Sequence, residues 1–300
     1  LRNNGGGPLH PAIALSALFL ADDGRIVETR GRTADAVETY RAGSRTQPFQ
    51  MPLIVLVNRG SASATEIVSG AIQDHDVGLI VGTPTWGKGL VQTVFSLPYG
   101  AGLALTTAKY YTPSGRLIQR DYTSYFDYVT VGETQSADEV PPPVGPAYRT
   151  DLGRTVFGGG GISPDVIVEG NELSPFEQFL LTRNAFQNFA VDMLEADGGA
   201  MRATVKDADW RPDSKRLLER FKAWLVAENV ATREQIEKGL TESKDGSYVD
   251  RALRGEVLNA KFGTEAQHRA LVEGDAQIQK ALSLFPDARQ LLAQRIASKE

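Results

Sequence analysis

The sequence predicts an α/β core followed by a mainly helical C-terminal region. Two buried-type strands, 52–58 (PLIVLVN) and 78–81 (GLIV), flank a helical pattern at 63–74 (SATEIVSGAIQD). Strand, helix and strand within about thirty residues make a βαβ unit, which implies a parallel sheet. From Ser174 to Glu300 the pattern is helical with few strand signals, punctuated by Pro175 and Pro212. These observations divide the chain into a core at 1–170, truncated at its N-terminus, and a helical region at 171–300, read as a scaffold or dimerisation element.

The apolar segment 11–21 lacks interior Gly and Pro and reads as a buried helix ended by Gly24. Residues 25–29 (RIVET) read as a short strand, and the polar stretch 34–47 as a loop or short helix. The run at 52–58 is β-branched and continuous, as in a strand buried on both faces. Residues 82–89 (GTPTWGKG) form a Gly/Pro-rich loop. Residues 90–97 and 103–111 read as paired strands joined at 98–102, with a turn at 112–115 (TPSG). Residues 121–161 are first aromatic, then Pro-rich, then end in four glycines, and read as an irregular surface excursion.

Composition narrows the chemistry. Formal net charge is −5, with 32 basic and 37 acidic residues, so nothing in the charge balance argues for a nucleic-acid partner. The absence of cysteine excludes thiol catalysis, disulfides and thiolate metal sites. His10, His75 and His268 share no metal-ligand spacing, so neither a metal nor another cofactor is expected. No stretch reaches the roughly 18 apolar residues of a membrane span. The first residues, LRNNGGG without an initiator Met, read as a strand end entering a loop and suggest a piece of a longer protein.

Ser63 follows a buried strand and opens a helix among small residues, where free N–H groups and a partial positive charge favour an oxyanion. The Ala64 N–H is one candidate donor, and the glycines of Asn3-Asn4-Gly5-Gly6-Gly7 offer a second. A serine nucleophile needs a base. His75 lies about 18 Å away along the same helix, at about 1.5 Å per residue, too far to serve. Lys88, between Gly87 and Gly89 and beside Trp86, sits in surroundings that favour a neutral amine able to take the serine proton. Gln92, four residues on, can orient that amine, and Thr85 is a further candidate for positioning it. Ser61 is the rival nucleophile, more naturally a helix cap, and Glu66 reads as the partner in a capping box. Tyr110, Tyr111, Tyr122, Tyr125 and Tyr128 read as packing residues before groove residues, and Lys109 as a sheet-face charge.

At these residues the chain resembles the C-terminal processing, or tail-specific, peptidase family. The matching stretches are LRNNGGG (1–7), VLVNRGSASATEIVSGAIQD (55–74), GTPTWGKGLVQ (82–92), LTTAKYYTPSGRLIQ (105–119) and GGGISPDV (159–166). Gly5 and Trp86 stand where members often carry Pro and Phe. The resemblance implies a ClpP/crotonase-like α/β fold and a Ser/Lys dyad. It places the nucleophile on Ser63, the base on Lys88, the supporting glutamine on Gln92, and the oxyanion donors on Gly6 (or Gly7) and Ala64. It further implies protein or peptide substrates with exposed C-termini, a PDZ domain upstream in the parent, an extracytoplasmic, periplasmic or membrane-associated setting, and compatibility with a homo-oligomer. The rival readings are a non-catalytic module that binds peptides or apolar ligands on the same fold, and a crotonase-like acyl-transfer enzyme.

Overall fold

The computed structural model describes all residues except 21–22, 34–35, 44–46, 123, 125–144, 244 and 299–300. By contact, the chain forms two compact units, Leu1–Glu169 with Lys280–Glu300, and Gly170–Gln279.

The first unit is built around the βαβ element that the sequence predicts. Strand β3 (Ile54–Val57) pairs in parallel with β4 (Leu79–Gly82), and α2 (Ala64–Asp74) makes the crossover. The short β9 (Val166–Ile167) adds a third parallel strand beside β4. The apolar run of β3 is explained by two covered faces. Val55, Val57 and Ile80 pack with Ile67, Val68, Ala71 and Ile72 of α2. Ile54, Leu56, Leu79 and Val81 pack with Leu284, Ala288 and Leu291, the last two on the C-terminal helix α10 (Phe285–Ala297). Alternate residues of each strand thus serve alternate faces, which leaves no position for a polar side chain.

A four-stranded antiparallel sheet, in the order β2-β1-β6-β5, carries β1 (Arg25–Gly31), β2 (Val37–Arg41), β5 (Leu90–Ser96) and β6 (Gly102–Tyr111). Strand β2 lies inside the 34–47 stretch expected to be a loop or short helix. It is an edge strand paired only to β1, with mostly exposed residues, so it lacks the apolar alternation of a half-buried strand. The hairpin of β7 (Ala147–Arg149) and β8 (Thr155–Phe157) likewise gives regular structure to part of the 121–161 excursion. The rest of that excursion, with Tyr125 and Tyr128, falls largely outside the described residues. Helix α1 (Leu9–Ala17) begins and ends earlier than 11–21, with Pro8 as its N-cap.

Buried ion pairs lock the far end of α2. Arg116, Asp74 and Gln73 are all buried. Arg116 donates to Asp74 at 2.5 Å and to Gln73 at 3.0 Å, and Asp74 also accepts from the Ser114 N–H at 2.9 Å. Arg154 from the β7–β8 hairpin pairs with Asp76 and Asp165 at 2.5 and 2.6 Å.

The second unit holds six helices among its described residues: α3 (Pro175–Thr182), α4 (Ala185–Thr204), α5 (Ser214–Ala227), α6 (Arg233–Thr241), α7 (Tyr248–Phe262) and α8 (Thr264–Val272). Helix α9 (Ala276–Ser283) spans the boundary between the units. Ser174 and Glu177 cap α3 reciprocally, each main-chain N–H donating to the other's side chain. The core is a ring cluster of Phe186, Phe189, Phe221 and Trp224 extended by Leu225, Leu253 and Leu258. No helix among the described residues is long and apolar enough to cross a membrane.

Replacing Asp74 by Ala strands the Arg116 guanidinium in the interior without its counter-charge. Equilibrium urea unfolding is expected to show a loss of about 3–5 kcal/mol.

Candidate active site

Ser63 occupies the N-cap of α2 with φ 58° and ψ −118°. A β-carbon makes this region of conformational space costly, by about 1–3 kcal/mol, and such residues persist only where their surroundings over-determine them. The surroundings here come from three directions.

The first is the N-terminal loop. Asn3 and Asn58 clasp each other, Asn3 N–H to Asn58 Oδ1 at 2.9 Å and Asn58 Nδ2 to Asn3 Oδ1 at 2.8 Å. The Asn4 carbonyl accepts from the Ala62 N–H and from the Thr65 hydroxyl, both at 3.0 Å. This lays Gly6 against the serine. A Cβ on Gly6 would stand 2.5 Å from Ala62 O, 2.8 Å from Ala64 N and 2.9 Å from Ser63 Cβ, at a φ of +91°. Only glycine allows that approach. The Gly6 N–H itself donates to Asn4 Oδ1 at 2.9 Å, an Asx-type turn that leaves the exposed Gly7 as the next N–H in line.

The second direction is the turn before α2. Ser61 is fully buried. Its hydroxyl donates to Leu1 O at 2.9 Å and accepts from the Asn58 N–H at 3.0 Å. It caps no helix, contrary to expectation, because it is committed to closing the turn. Its proton is engaged, so the rival nucleophile is held in a structural bond.

The third is Glu66, which sequence reasoning took for a helix cap alone. It is fully buried. Its Oε2 accepts the Ser63 N–H at 2.8 Å, as a capping residue would, and also the Lys88 N–H at 2.9 Å. Its Oε1 accepts the Thr85 hydroxyl at 2.5 Å and the Gly87 N–H at 2.7 Å. One carboxylate therefore ties the serine turn to the lysine loop, and one oxygen serves Ser63 and Lys88 together. Burial pushes the Glu66 carboxyl above the ordinary range, while the bonds from Thr85, Lys88, Gly87 and Ser63 pull it back. Thr85, expected to help position Lys88, bonds to this carboxylate and not to Lys88 itself. It also accepts the Ile162 N–H at 2.7 Å.

The Lys88 side chain is half-buried. Among the described residues its amine makes no hydrogen bond, with the Ser63 hydroxyl or any other group. Gln92 is exposed on β5, at a register shift between Val91 and Gln92, and its side chain is not bonded to Lys88. Sequence position thus brings Ser63, Ala64, Gly6 and Lys88 into one place, while Gln92 stands on an uncovered strand. Glu66, Asn4 and Gln119 complete the scaffold. Only Glu66 left a sequence signal, the Ser-x-x-Glu spacing.

Residues 1–124 match the model of peptidase family S41. Its similarity is to proteases that process C-termini. It is 50% identical over 119 residues to a carboxy-terminal-processing protease of Bartonella bacilliformis, covering 40% of this chain and 27% of that protein. It is 49% identical over 114 residues to a carboxyl-terminal-processing protease of Picosynechococcus, covering 38% and 27%. Among solved structures it resembles the photosystem II D1 C-terminal processing protease, with 32% identity, a TM-score of 0.36, and coverage of 56% of this chain and 33% of that one. The chain spans about a quarter of the length of these two curated relatives.

Two substitutions probe this geometry. Glu66→Gln places an NH2 group opposite two N–H donors and is expected to lower kcat by about 10²-fold, the scale of a misplacement near 1 Å. Gly6→Ala is expected to cost about 10²-fold or more in kcat by forcing the loop off Ala64. Steady-state kinetics on the folded protein, assayed as the peptidase proposed below, check both.

Proposed function

We propose that the chain is the catalytic core of a serine endopeptidase that cuts proteins near their C-termini through a Ser63/Lys88 dyad, on a ClpP/crotonase-like fold. The observation that carries this reading is the strained Ser63 at the head of α2, with Gly6 pressed onto it and Glu66 binding its turn to the Lys88 loop. A structural serine gains nothing from such a conformation, whereas a nucleophile on a strand-to-helix turn is presented by it.

In this mechanism Ser63 Oγ attacks the scissile carbonyl, and the Lys88 amine takes the hydroxyl proton and returns it to the leaving amine. The oxyanion forms at the head of α2. The Ala64 N–H is one donor. The second comes from the glycine loop, where the Gly6 N–H is held by Asn4 and Gly7 follows it. Gln92 orients the Lys88 amine once β5 is covered. The physiological substrates are proteins with exposed C-termini, the parent carries a PDZ domain upstream, and the setting is extracytoplasmic. The family match and the C-terminal-processing relatives support the protein substrates, while the PDZ domain and the setting rest on the resemblance of the motifs.

The unbonded Lys88 amine and exposed Gln92 favour one other reading, a peptide-binding module without turnover. Incubating the full-length parent, Ser63→Ala and Lys88→Ala with an unfolded protein separates the two. The peptidase reading expects cleavage by the parent alone, with both variants down at least about 10³-fold. Equal cleavage by parent and Ser63→Ala, or tight binding without cleavage by the parent, would reject it.

A further inference from the structure

The loop that presents Lys88 is held by more than Glu66. Its three successive main-chain N–H groups, from Gly87, Lys88 and Gly89, all end on buried side chains. The first two reach Glu66. The third donates to Gln119 Oε1 at 2.9 Å. Gln119 is buried, and its own Nε2 donates to Arg120 O at 2.8 Å, so the amide cannot rotate without losing both bonds. The loop carbonyls are tied as well. Gly87 O accepts from the Arg120 N–H at 3.1 Å and Gly89 O from the Tyr110 N–H at 2.7 Å. Gly89 lies flat on residue 119, where a Cβ would stand 2.5 Å from Gln119 N.

We propose that Gln119 is a positioning residue for Lys88, capturing the Gly89 N–H so that the loop is anchored on the far side of the lysine as Glu66 anchors it on the near side. This rests on Lys88 being the base. A lysine side chain has four rotatable bonds, so the placement of its amine depends on where its Cα is fixed. Glu66 reaches only as far as the Lys88 N–H. Without an acceptor for Gly89, a buried N–H is left unsatisfied next to Lys88, and between Lys88 and the first ladder pair of β5, Leu90 with Lys109, only the Gly89 carbonyl bond remains. Water cannot replace the amide oxygen at a site this closed.

The test uses the full-length parent with an unfolded protein substrate, Ser63→Ala as the reference, and three variants. Gln119→Met keeps the volume and removes both hydrogen bonds. Gln119→Asn draws the amide back by one methylene. Gln119→Glu keeps an acceptor for Gly89. Expected are a fall in kcat of about tenfold or more for Met and Asn with KM within about twofold, and recovery to within about threefold of the parent for Glu. Thermal melts identify which variants fold. An unchanged kcat in either the Met or the Asn variant, whichever folds, would overturn the inference, as would a Glu variant that folds and is no better than Met. Both results leave the peptidase reading standing if Ser63→Ala is inactive. Cleavage by Ser63→Ala equal to the parent overturns that reading and this inference with it.

Discussion

The buried carboxylate of Glu66 is the constraint on which the site depends. Four donors converge on its two oxygens, from Ser63, Thr85, Gly87 and Lys88. No neutral side chain of the same shape offers four acceptor positions without also presenting donors. A glutamine here would set an NH2 group against N–H groups. The same carboxylate is fully removed from water, and an ionised group so placed persists only with a complete set of partners. The site therefore has a cooperative character. The serine turn and the lysine loop complete each other's hydrogen bonding through one atom, and neither loop is satisfied without the other.

The sheet framework was legible because its residues obey a single rule. The strands around 54–57 and 79–82 are apolar throughout since α2 covers one face and α10 the other, and the helix between them starts within one residue of its predicted position. Strand β2 was hidden because an exposed edge strand such as VETYR carries no periodic signal. The Ser63 and Lys88 loops are singled out by glycine spacing and resemblance. Their supports were not, for a physical reason. Asn4 and Gln119 act through bonds to main-chain groups, and such bonds leave no trace in the pattern of side-chain types. Glu66 showed half its role. Its bond to the Ser63 N–H lies three residues away and is local, while Thr85, Gly87 and Lys88 reach it only after the chain has folded back.

Gln92 shows the limit of local spacing in another way. Cross-strand pairing places Phe95 opposite Leu103 and Thr93 opposite Leu105, so these side chains share a face of the β5–β6 ribbon. Phe95, Leu103 and Leu105 are all exposed there, as are Val94 and Leu97 nearby. A two-stranded ribbon with apolar side chains open to water has little to fix its twist or the register shift at Gln92. A side chain carried on such a ribbon is not held against Lys88 by anything on its own strand. The lysine main chain, by contrast, is fixed from both sides. The described core thus fixes the peptide bonds around Lys88 and leaves its amine without a hydrogen bond among the described residues.

The conformation of Ser63 follows from the same economy of space. Helix α2 must begin directly after the turn that buries Ser61, and Gly6 lies so close that a Cβ on it would stand 2.9 Å from Ser63 Cβ. A relaxed φ at residue 63 would rotate its N–H away from Glu66 and its side chain away from the glycine loop. The backbone strain, about 1–3 kcal/mol, is opposed by a charge-assisted bond from Ser63 to Glu66 and by the Ala62 and Thr65 bonds to Asn4. A charge-assisted bond is worth roughly 1.5–3 kcal/mol, so the one contact to Glu66 is of the size needed to hold the serine in place. Protonating Glu66 would weaken that bond, and burial favours the protonated form. The four converging donors are what keep the carboxylate available to hold the strained serine.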